Sequence, residues 1–281
     1  MRRLSSILIL SLICFCTYAQ TDTLQAGAVK STNADAASVA QSKSEPAFEG
    51  TAEDLLKKAA ELYSRSHYTE AAAIYEHILA TSGSSEKVYY NLGNAYYKSK
   101  QLAPAILNYE RALRLDPGDR DTRFNLEMCK ARIVDKVNPI GMFFMNRWYK
   151  SLGNCFNSNT WGGFSIFFFL IFIACLFAYF FTGVSWLKKS GFFGGILTLC
   201  LSILSLVYSG QQHHRIVEPD TAILFTPTVT AKSSPDQSGT DLFILHEGSK
   251  VTVLSVLGAW NEIELEDGNI GWVESKDLKM I

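Results

Sequence analysis

Few residues in this 281-residue chain have types and spacing suited to catalysis. No phosphate-binding glycine loop, paired carboxylates or nucleophile with a neighbouring base has the local context that such chemistry requires. Cys155 with a distant histidine would imitate a cysteine-peptidase pair. Its neighbours Asn154 and Phe156 place it in a membrane-proximal segment rather than at a strand-to-helix site. We therefore expect a non-enzymatic protein that needs no cofactor.

Metal binding and disulfide bonding have little support in the sequence. His213 and His214 are adjacent, but no carboxylate or cysteine lies at ligand spacing. A polar flank beside the membrane is therefore favoured over a metal site or a pH sensor. Cys129 and Cys155 could pair in an oxidising compartment, but the chain lacks the closely spaced cysteines of a disulfide framework. Unpaired thiols are assumed, and the pairing is left open.

An internal repeat of about 34 residues lies in a region with helical periodicity. It resembles the tetratricopeptide repeat, more closely in the second copy than in the first. The matching residues are Leu92, Gly93, Tyr96, Ala105, Tyr109, Ala112 and Pro117 in the second copy, and Lys58, Ala59, Leu62, Ala71, Tyr75, Ile78 and Gly83 in the first. The pattern predicts a module over 51–134, with repeats at about 52–85 and 86–118 and a capping helix at 119–134. Two repeats fall short of the usual minimum of about three, which implies either a short groove or stability borrowed from the membrane-proximal segment or from a partner.

A peptide-binding groove is the expected functional site of this module, because the first helices of such repeats line a concave surface. The candidate groove residues are Tyr63, Tyr90, Asn94, Tyr97 and Lys98. Asn94 and Lys98 are four residues apart on one helical face, so both could donate hydrogen bonds to a bound peptide. The alternative is that these two side chains are solvated and that the tyrosines pack within the module.

The N-terminal residues are expected to serve export and tethering. Basic residues, an apolar run and small residues form a secretory signal over 1–19, with cleavage predicted after Ala19. A retained signal remains open, and a lipoprotein signal at Cys14 or Cys16 is the less favoured alternative. Residues 20–50 contain almost no large apolar side chain, which predicts a disordered linker.

Two uncharged apolar runs predict transmembrane helices over 161–184 and 191–209, since a spanning helix needs about 20 residues. Lys188 and Lys189 lie between them, and the positive-inside rule assigns this short turn to the cytoplasm. Residues 135–160 mix aromatic and basic side chains, which predicts an amphipathic segment at the bilayer surface; packing on the repeats is the alternative. The signal would export the N-terminal region, and the helical hairpin would return the chain to the same side of the membrane. Both soluble modules are therefore expected on the periplasmic side.

Residues 216–281 change to a strand-like alternation, and repeated turn signals predict a small all-β barrel of about five strands. This region resembles the bacterial SH3 domain. The resemblance is carried by Thr230-Ala231-Lys232-Ser233-Ser234-Pro235, by Leu245-His246-Glu247-Gly248, by Trp260, and by Gly271-Trp272-Val273. Trp260 is a candidate for the ligand-facing surface, with a core position as the equal alternative. Trp272 is expected in the core.

The order of these parts resembles the BatE-type proteins of bacterial aerotolerance operons. That resemblance implies a Gram-negative inner-membrane protein working with von Willebrand A-domain membrane proteins and a MoxR-type ATPase. The net charge of -1 gives no attraction to nucleic acid. We predict a multi-domain membrane protein, with an α-α solenoid of tetratricopeptide type, two transmembrane helices and an SH3-like barrel, that acts as an interaction scaffold. The alternative is an envelope module that binds peptidoglycan through the SH3 domain. A sensor that relays across the membrane is disfavoured, because the cytoplasmic turn is short.

Overall fold

A computed structural model of the protein describes residues 50–136 and 144–281. The predicted signal peptide, nearly all of the predicted linker and part of the predicted membrane-proximal segment lie outside these ranges. Within them the helices are α1 (Ala52–Ser64), α2 (Tyr68–Ser82), α3 (Glu86–Lys98), α4 (Leu102–Leu115), α5 (Arg120–Lys130), α6 (Phe144–Gly153), α7 (Ser158–Phe181) and α8 (Ser185–Val217). The strands are β1 (Thr221–Leu224), β2 (Thr228–Lys232), β3 (Asp241–His246), β4 (Lys250–Leu257), β5 (Trp260–Glu264), β6 (Ile270–Glu274) and β7 (Leu278–Met280), with a 3-10 turn at Ser275–Asp277.

Helices α1 to α4 form two consecutive helical hairpins, and α5 packs against the second. Small residues allow the close approach within each hairpin: Ala59, Ala71 and Ala105 are completely buried. A Cβ atom added to Gly93 would lie 2.7 Å from the ring of Tyr109, so the glycine is needed for α3 to approach α4. The sequence pattern thus identified residues that determine the packing of these helices.

The C-terminal strands form one antiparallel sheet with the order β3-β2-β6-β5-β4-β1-β7. Three of its turns use glycines with positive φ, namely Gly248, Gly258 and Gly268. The sheet has seven described strands rather than about five, because short β1 and β7 pair with each other, for example at Ala222 and Met280. No pairing joins β3 to β7 among the described strands, so the sheet is open where a closed barrel was predicted.

Two of the described helices are long and apolar enough to cross a membrane, α7 with 24 residues and α8 with 33. They pack as a hairpin through small polar residues: Ser165 Oγ donates to the Ser202 carbonyl at 3.1 Å, and Ser202 Oγ donates to the Ser165 carbonyl at 2.9 Å. The turn between them is not where the sequence placed it. Lys188 and Lys189 lie in the first turns of α8. The break between the two helices comes earlier, at residues 182–184, and helical hydrogen bonding resumes directly after it.

The sheet docks on the helical repeats and completes their core. Ile223 and Ile281 of the sheet domain pack into one cluster with Ile106, Leu126 and Cys129 of α4 and α5. All five side chains are less than 5 % exposed. The short repeat module therefore gains buried apolar surface from the C-terminal domain, a source that the sequence had not suggested.

Candidate functional site

Asn94 lies at the centre of a hydrogen-bond network on the predicted groove face. Its Oδ1 accepts from the Tyr109 hydroxyl at 2.7 Å and from Asn125 Nδ2 at 2.9 Å. Burial raises the pKa of Tyr109 above its ordinary range, so the phenol remains a proton donor. Because α3, α4 and α5 each supply one member, the network fixes these helices together. The Asn94 carbonyl is thus already occupied by partners within the chain.

The two groove tyrosines nearest this network are half-buried and in aromatic contact. Tyr63 of α1 meets Tyr68 edge-to-face with 5.2 Å between ring centroids. Tyr90 of α3 lies 6.2 Å from the Tyr109 ring, and its hydroxyl accepts from Asn125 Nδ2 at 3.4 Å. Burial, followed by the proximity of Tyr68 and Tyr90, raises the pKa of Tyr63. Tyr90 and Asn94 are thus four residues apart on α3 and share Asn125 as a partner, and Tyr63 lies close enough to Tyr90 for it to contribute to the raised pKa.

Tyr97 and Lys98 form the C-terminal end of the same face. The guanidinium of Arg132 stands 5.0 Å from the centre of the Tyr97 ring, a cation–π contact that ties the segment after α5 to α3. Lys98 ends α3 and is exposed, where a cation interacts favourably with the carbonyl end of the helix dipole. Of the five candidate groove residues, Lys98 is the one whose side chain is most exposed.

Trp260 and Trp272 share one face of the sheet. Trp272 pairs with Glu262, which lies two residues after Trp260, so strand alternation directs both indoles to the same side. Both are half-buried, whereas Gly271 and Val273 beside Trp272 point to the buried side. The expectation of a core position for Trp272 was wrong, because the β6 register gives the buried face to its two neighbours.

A buried ion cluster links the repeats to the sheet. Glu110 of α4 contacts the ammonium groups of Lys130 at 3.0 Å and Lys250 at 2.7 Å. Burial by itself would raise the pKa of Glu110, but the two ammonium groups outweigh it and hold the pKa below its ordinary value. Removal of Glu110 would leave two partly buried ammonium groups without their carboxylate, so the cluster favours the docked arrangement.

Asp135 binds the turn between β3 and β4. Its carboxylate accepts from the His246 main-chain nitrogen at 2.6 Å, from His246 Nδ1 at 2.7 Å and from the Ser249 hydroxyl at 2.6 Å. Burial opposes ionisation, but these hydrogen bonds lower the pKa of Asp135 below its ordinary value. Within the same turn, a Cβ added to Gly248 would lie 2.7 Å from Ile133. The turn is therefore fitted closely to the segment that follows α5.

The docking contacts were missed by sequence reasoning. Asp135 and His246 are 111 residues apart, and Glu110 and Lys250 are 140 residues apart. The sequence carried one partial signal, since the His246-Glu247-Gly248 turn had been identified, but only as a strand connection. No periodicity pairs a helix with a turn so distant along the chain.

Other candidate chemistry is not assembled in the part of the chain that the structure describes. Cys129 is buried and Cys155 is exposed, and both thiols are free. No group of three or more histidine, cysteine or carboxylate side chains among the described residues could hold a metal ion.

Comparison with known proteins identifies the second helical hairpin. Residues 86–119, which comprise α3, α4 and the turn after α4, match the family model of the tetratricopeptide repeat. A search of curated proteins gave no match. The matched segment carries Tyr90, Asn94, Tyr97, Lys98 and Glu110. Four of the five candidate groove residues and part of the docking interface therefore belong to a tetratricopeptide repeat, a module that generally mediates protein–protein interaction.

Proposed function

We propose that this protein is a membrane-anchored scaffold that binds other proteins of a bacterial envelope. The observation that carries the proposal is a tetratricopeptide repeat on the same chain as two exposed apolar helices. The repeat supplies the binding module, the helices anchor it, and the docked sheet stiffens it. The described residues supply no assembled catalytic group that would favour an enzyme over a scaffold.

Membrane anchoring is supported by the surface of α7 and α8. Only 6 % of the apolar window of α7 and 17 % of that of α8 is buried within the protein. Large side chains such as Phe167, Leu170 and Phe180 are more than half exposed. Soluble proteins rarely expose a continuous apolar surface of this kind, whereas lipid chains would cover it. A helix of 24 residues is about 36 Å long, enough to cross the hydrocarbon core.

The segment beside the proposed spans suits a membrane surface. Trp148 and Met145 of α6 are 68 % and 59 % exposed, while the C-terminal end of α6 packs on α8. There a Cβ added to Gly153 would lie 2.9 Å from Tyr208, and the Gly153 carbonyl accepts from Trp161 Nε1 at 3.0 Å. An exposed indole next to a packed helix face is typical of an interfacial anchor.

The proposed orientation places the repeats and the sheet on the periplasmic side. Lys188 and Lys189 are exposed at the end of the hairpin that is remote from the sheet, and basic residues favour the cytoplasmic side. The predicted secretory signal favours the same orientation. Resemblance to BatE-type proteins suggests von Willebrand A-domain membrane proteins and a MoxR-type ATPase system as partner classes, and a role in aerotolerance.

The proposed protein-binding surface is the face formed by α1 and α3. Tyr63, Tyr97 and Lys98 offer it partly exposed rings and one exposed cation. Tyr90 and Asn94 contribute to the face, but both accept hydrogen bonds from Asn125 within the module. A partner segment with a carboxylate near Lys98 and apolar side chains against the tyrosines would complement it.

Capture of partners from living cells tests this proposal. The full chain would be crosslinked in cells, extracted with detergent and compared with Lys98→Glu by mass spectrometry. We expect the charge reversal to reduce partner recovery several-fold. Lys58→Glu is the matched control, because Lys58 is also exposed on a repeat helix but lies five residues, or about 140°, from Tyr63 around α1. Equal recovery with both variants would exclude this surface.

A second candidate function is binding of peptidoglycan by the sheet. It is favoured by the two half-exposed indoles on one sheet face, since aromatic rings commonly pack against sugars and peptides. The test is sedimentation of the detergent-solubilised full chain with purified peptidoglycan, because isolation of the sheet would expose Ile223 and Ile281. Binding that is lost in Trp260→Ala would support this function, and absence of co-sedimentation would exclude it.

A further inference from the structure

A cavity of about 520 Å³ lies where α4, α6, the end of α8 and the sheet meet. Its volume is within the range of about 300–1,000 Å³ that is common for small-molecule sites. Gln212 and Arg215 of α8 line it, two and five residues beyond Gly210, which is the last residue before the polar end of α8. At 1.5 Å per helical residue these side chains start about 3 and about 8 Å past the apolar span. On the membrane anchoring proposed above, this is the level of the lipid headgroups.

Two residues that line this cavity, Gln212 and Arg114, each carry a buried polar atom with no hydrogen-bond partner in the part of the chain that the structure describes. Gln212 is 5 % exposed, and its Nε2 donates to the carbonyls of Gly153 and Phe156, which fixes the orientation of the amide and leaves Oε1 open. The buried Nε–H of Arg114 also lacks an acceptor, although Arg114 Nη1 donates to the Ile281 main-chain oxygen. Buried polar atoms are nearly always satisfied in native proteins, so an open acceptor and an open donor on two residues that line one cavity are consistent with a bound group that supplies both partners.

The charge of the cavity indicates an anion. Five cationic side chains line it against two carboxylates, and the pairing of Lys250 with Glu110 leaves four cations and Asp220. The five are Arg114, Arg123, Lys150, Arg215 and Lys250. Burial, followed by the nearby Arg111, lowers the pKa of Arg114, a cost that a bound anion would relieve. Arginine side chains suit phosphate, because the guanidinium presents several donors in a plane.

We propose that this cavity binds the headgroup of an anionic phospholipid, with its phosphate on Arg114 and Arg215 and a headgroup hydroxyl donating to Gln212. A glycerol phosphate headgroup carries both features, an anionic acceptor and a hydroxyl donor. The bound lipid would join the repeats, α8 and the sheet at the membrane surface. It would thereby hold the interaction module in a fixed position relative to the bilayer.

Competitive lipid binding by the full chain tests the proposal. The protein would be purified in non-ionic detergent and titrated with phosphatidylglycerol and with phosphatidylcholine, and bound lipid would be counted by native mass spectrometry. We expect phosphatidylglycerol to bind more tightly, and Arg215→Gln to weaken it about fivefold, the effect usual for one basic residue at a membrane surface. Arg215→Glu should weaken it further. Both changes should leave the fold intact, because Arg215 is exposed and has no ion-pair partner among the described residues.

Lys189→Gln is the matched control, because it removes one exposed cation from the opposite end of the same helix. Equal weakening by Lys189→Gln and Arg215→Gln, or no weakening by Arg215→Glu, would overturn the proposal. Full displacement of the lipid by glycerol 3-phosphate would reassign the site to a soluble phosphate and refute the lipid. Alkaline carbonate extraction separates this outcome from failure of the anchor: chain released from membranes would refute the anchoring, whereas retained chain without lipid preference would refute only the headgroup site.

Discussion

Replacement of Asp135 by asparagine should loosen the docking of the sheet on the repeats. The carboxylate accepts three hydrogen bonds of 2.6 to 2.7 Å from the turn at His246 and Ser249. Asparagine keeps the size of the side chain but offers one acceptor oxygen and no charge. Each hydrogen bond to a charged group contributes about 1.5–3 kcal/mol. Because the aspartate side chain is only 15 % exposed, solvent weakens these hydrogen bonds little. We therefore expect Asp135→Asn to reduce the free energy of docking by about 2–4 kcal/mol.

Hydrogen–deuterium exchange of the full chain in detergent measures this loss directly. The His246 main-chain N–H donates to the Asp135 carboxylate, so its protection reports opening of the docked turn. A loss of about 2 kcal/mol or more raises exchange of peptides that contain this amide by about 30-fold or more. Asp121→Asn is the matched control, since it removes the same charge from an exposed position on α5. Indistinguishable exchange in the two variants would refute the assignment of docking energy to Asp135.

Three further predictions concern packing, pH and thiol reactivity. Gly93→Ala should destabilise the repeats by about 1–3 kcal/mol, because the added Cβ would lie 2.7 Å from the buried Tyr109 ring. We expect a lower thermal unfolding midpoint in detergent, and an unchanged midpoint would contradict this packing. The pKa of Asp135 lies below the ordinary 3.8, so its contribution to docking is fully present above pH 3.8 and is lost as the pH falls through the lowered pKa. The difference in exchange between wild type and Asp135→Asn should therefore vanish in acid. Burial raises the pKa of Cys129 to about 11, so maleimide at pH 8 should modify exposed Cys155 and spare Cys129, as mapped by peptide mass spectrometry.

The local architecture was accessible from the sequence because its causes are local. Gly93 was assigned to helix–helix contact from the repeat pattern, and the structure places it against Tyr109. The apolar runs that form α7 and α8, and the lengths of these runs, can be recognised from composition alone. Gly248 lies in the Leu245-His246-Glu247-Gly248 motif that the sequence singled out, and its positive φ is one that glycine adopts readily.

The arrangement of the modules was not accessible, because its causes are distant in sequence. No pattern in the sequence indicates that Ile223 and Ile281 pack against Ile106 in the folded chain. The position of Trp272 depended on which face of β6 became buried, and a strand pattern gives the alternation but not the side. Lys188 was taken for part of a turn because charge interrupts an apolar run, although lysine is a good helix former.

The docking has a consequence for how the proposed scaffold would work. A two-repeat module joined to the anchor only by a flexible segment would sample many orientations. Here α8 is one helix of 33 residues, about 50 Å long, that leads from the apolar span to β1. Because the sheet that follows β1 packs on the repeats, the anchor and the binding face are connected by folded structure. Partners would meet this face at a defined height above the membrane.

Membrane topology is the most direct test of the proposed architecture. Alkaline phosphatase and green fluorescent protein would each be fused after Ile281 in a bacterial host, and the two activities compared. Active phosphatase and absent fluorescence would agree with a sheet and repeats on the periplasmic side, joined to a hairpin that turns near Lys188. Bright fluorescence with inactive phosphatase would place the sheet and the repeats packed on it in the cytosol, and would contradict the proposed scaffold of the envelope.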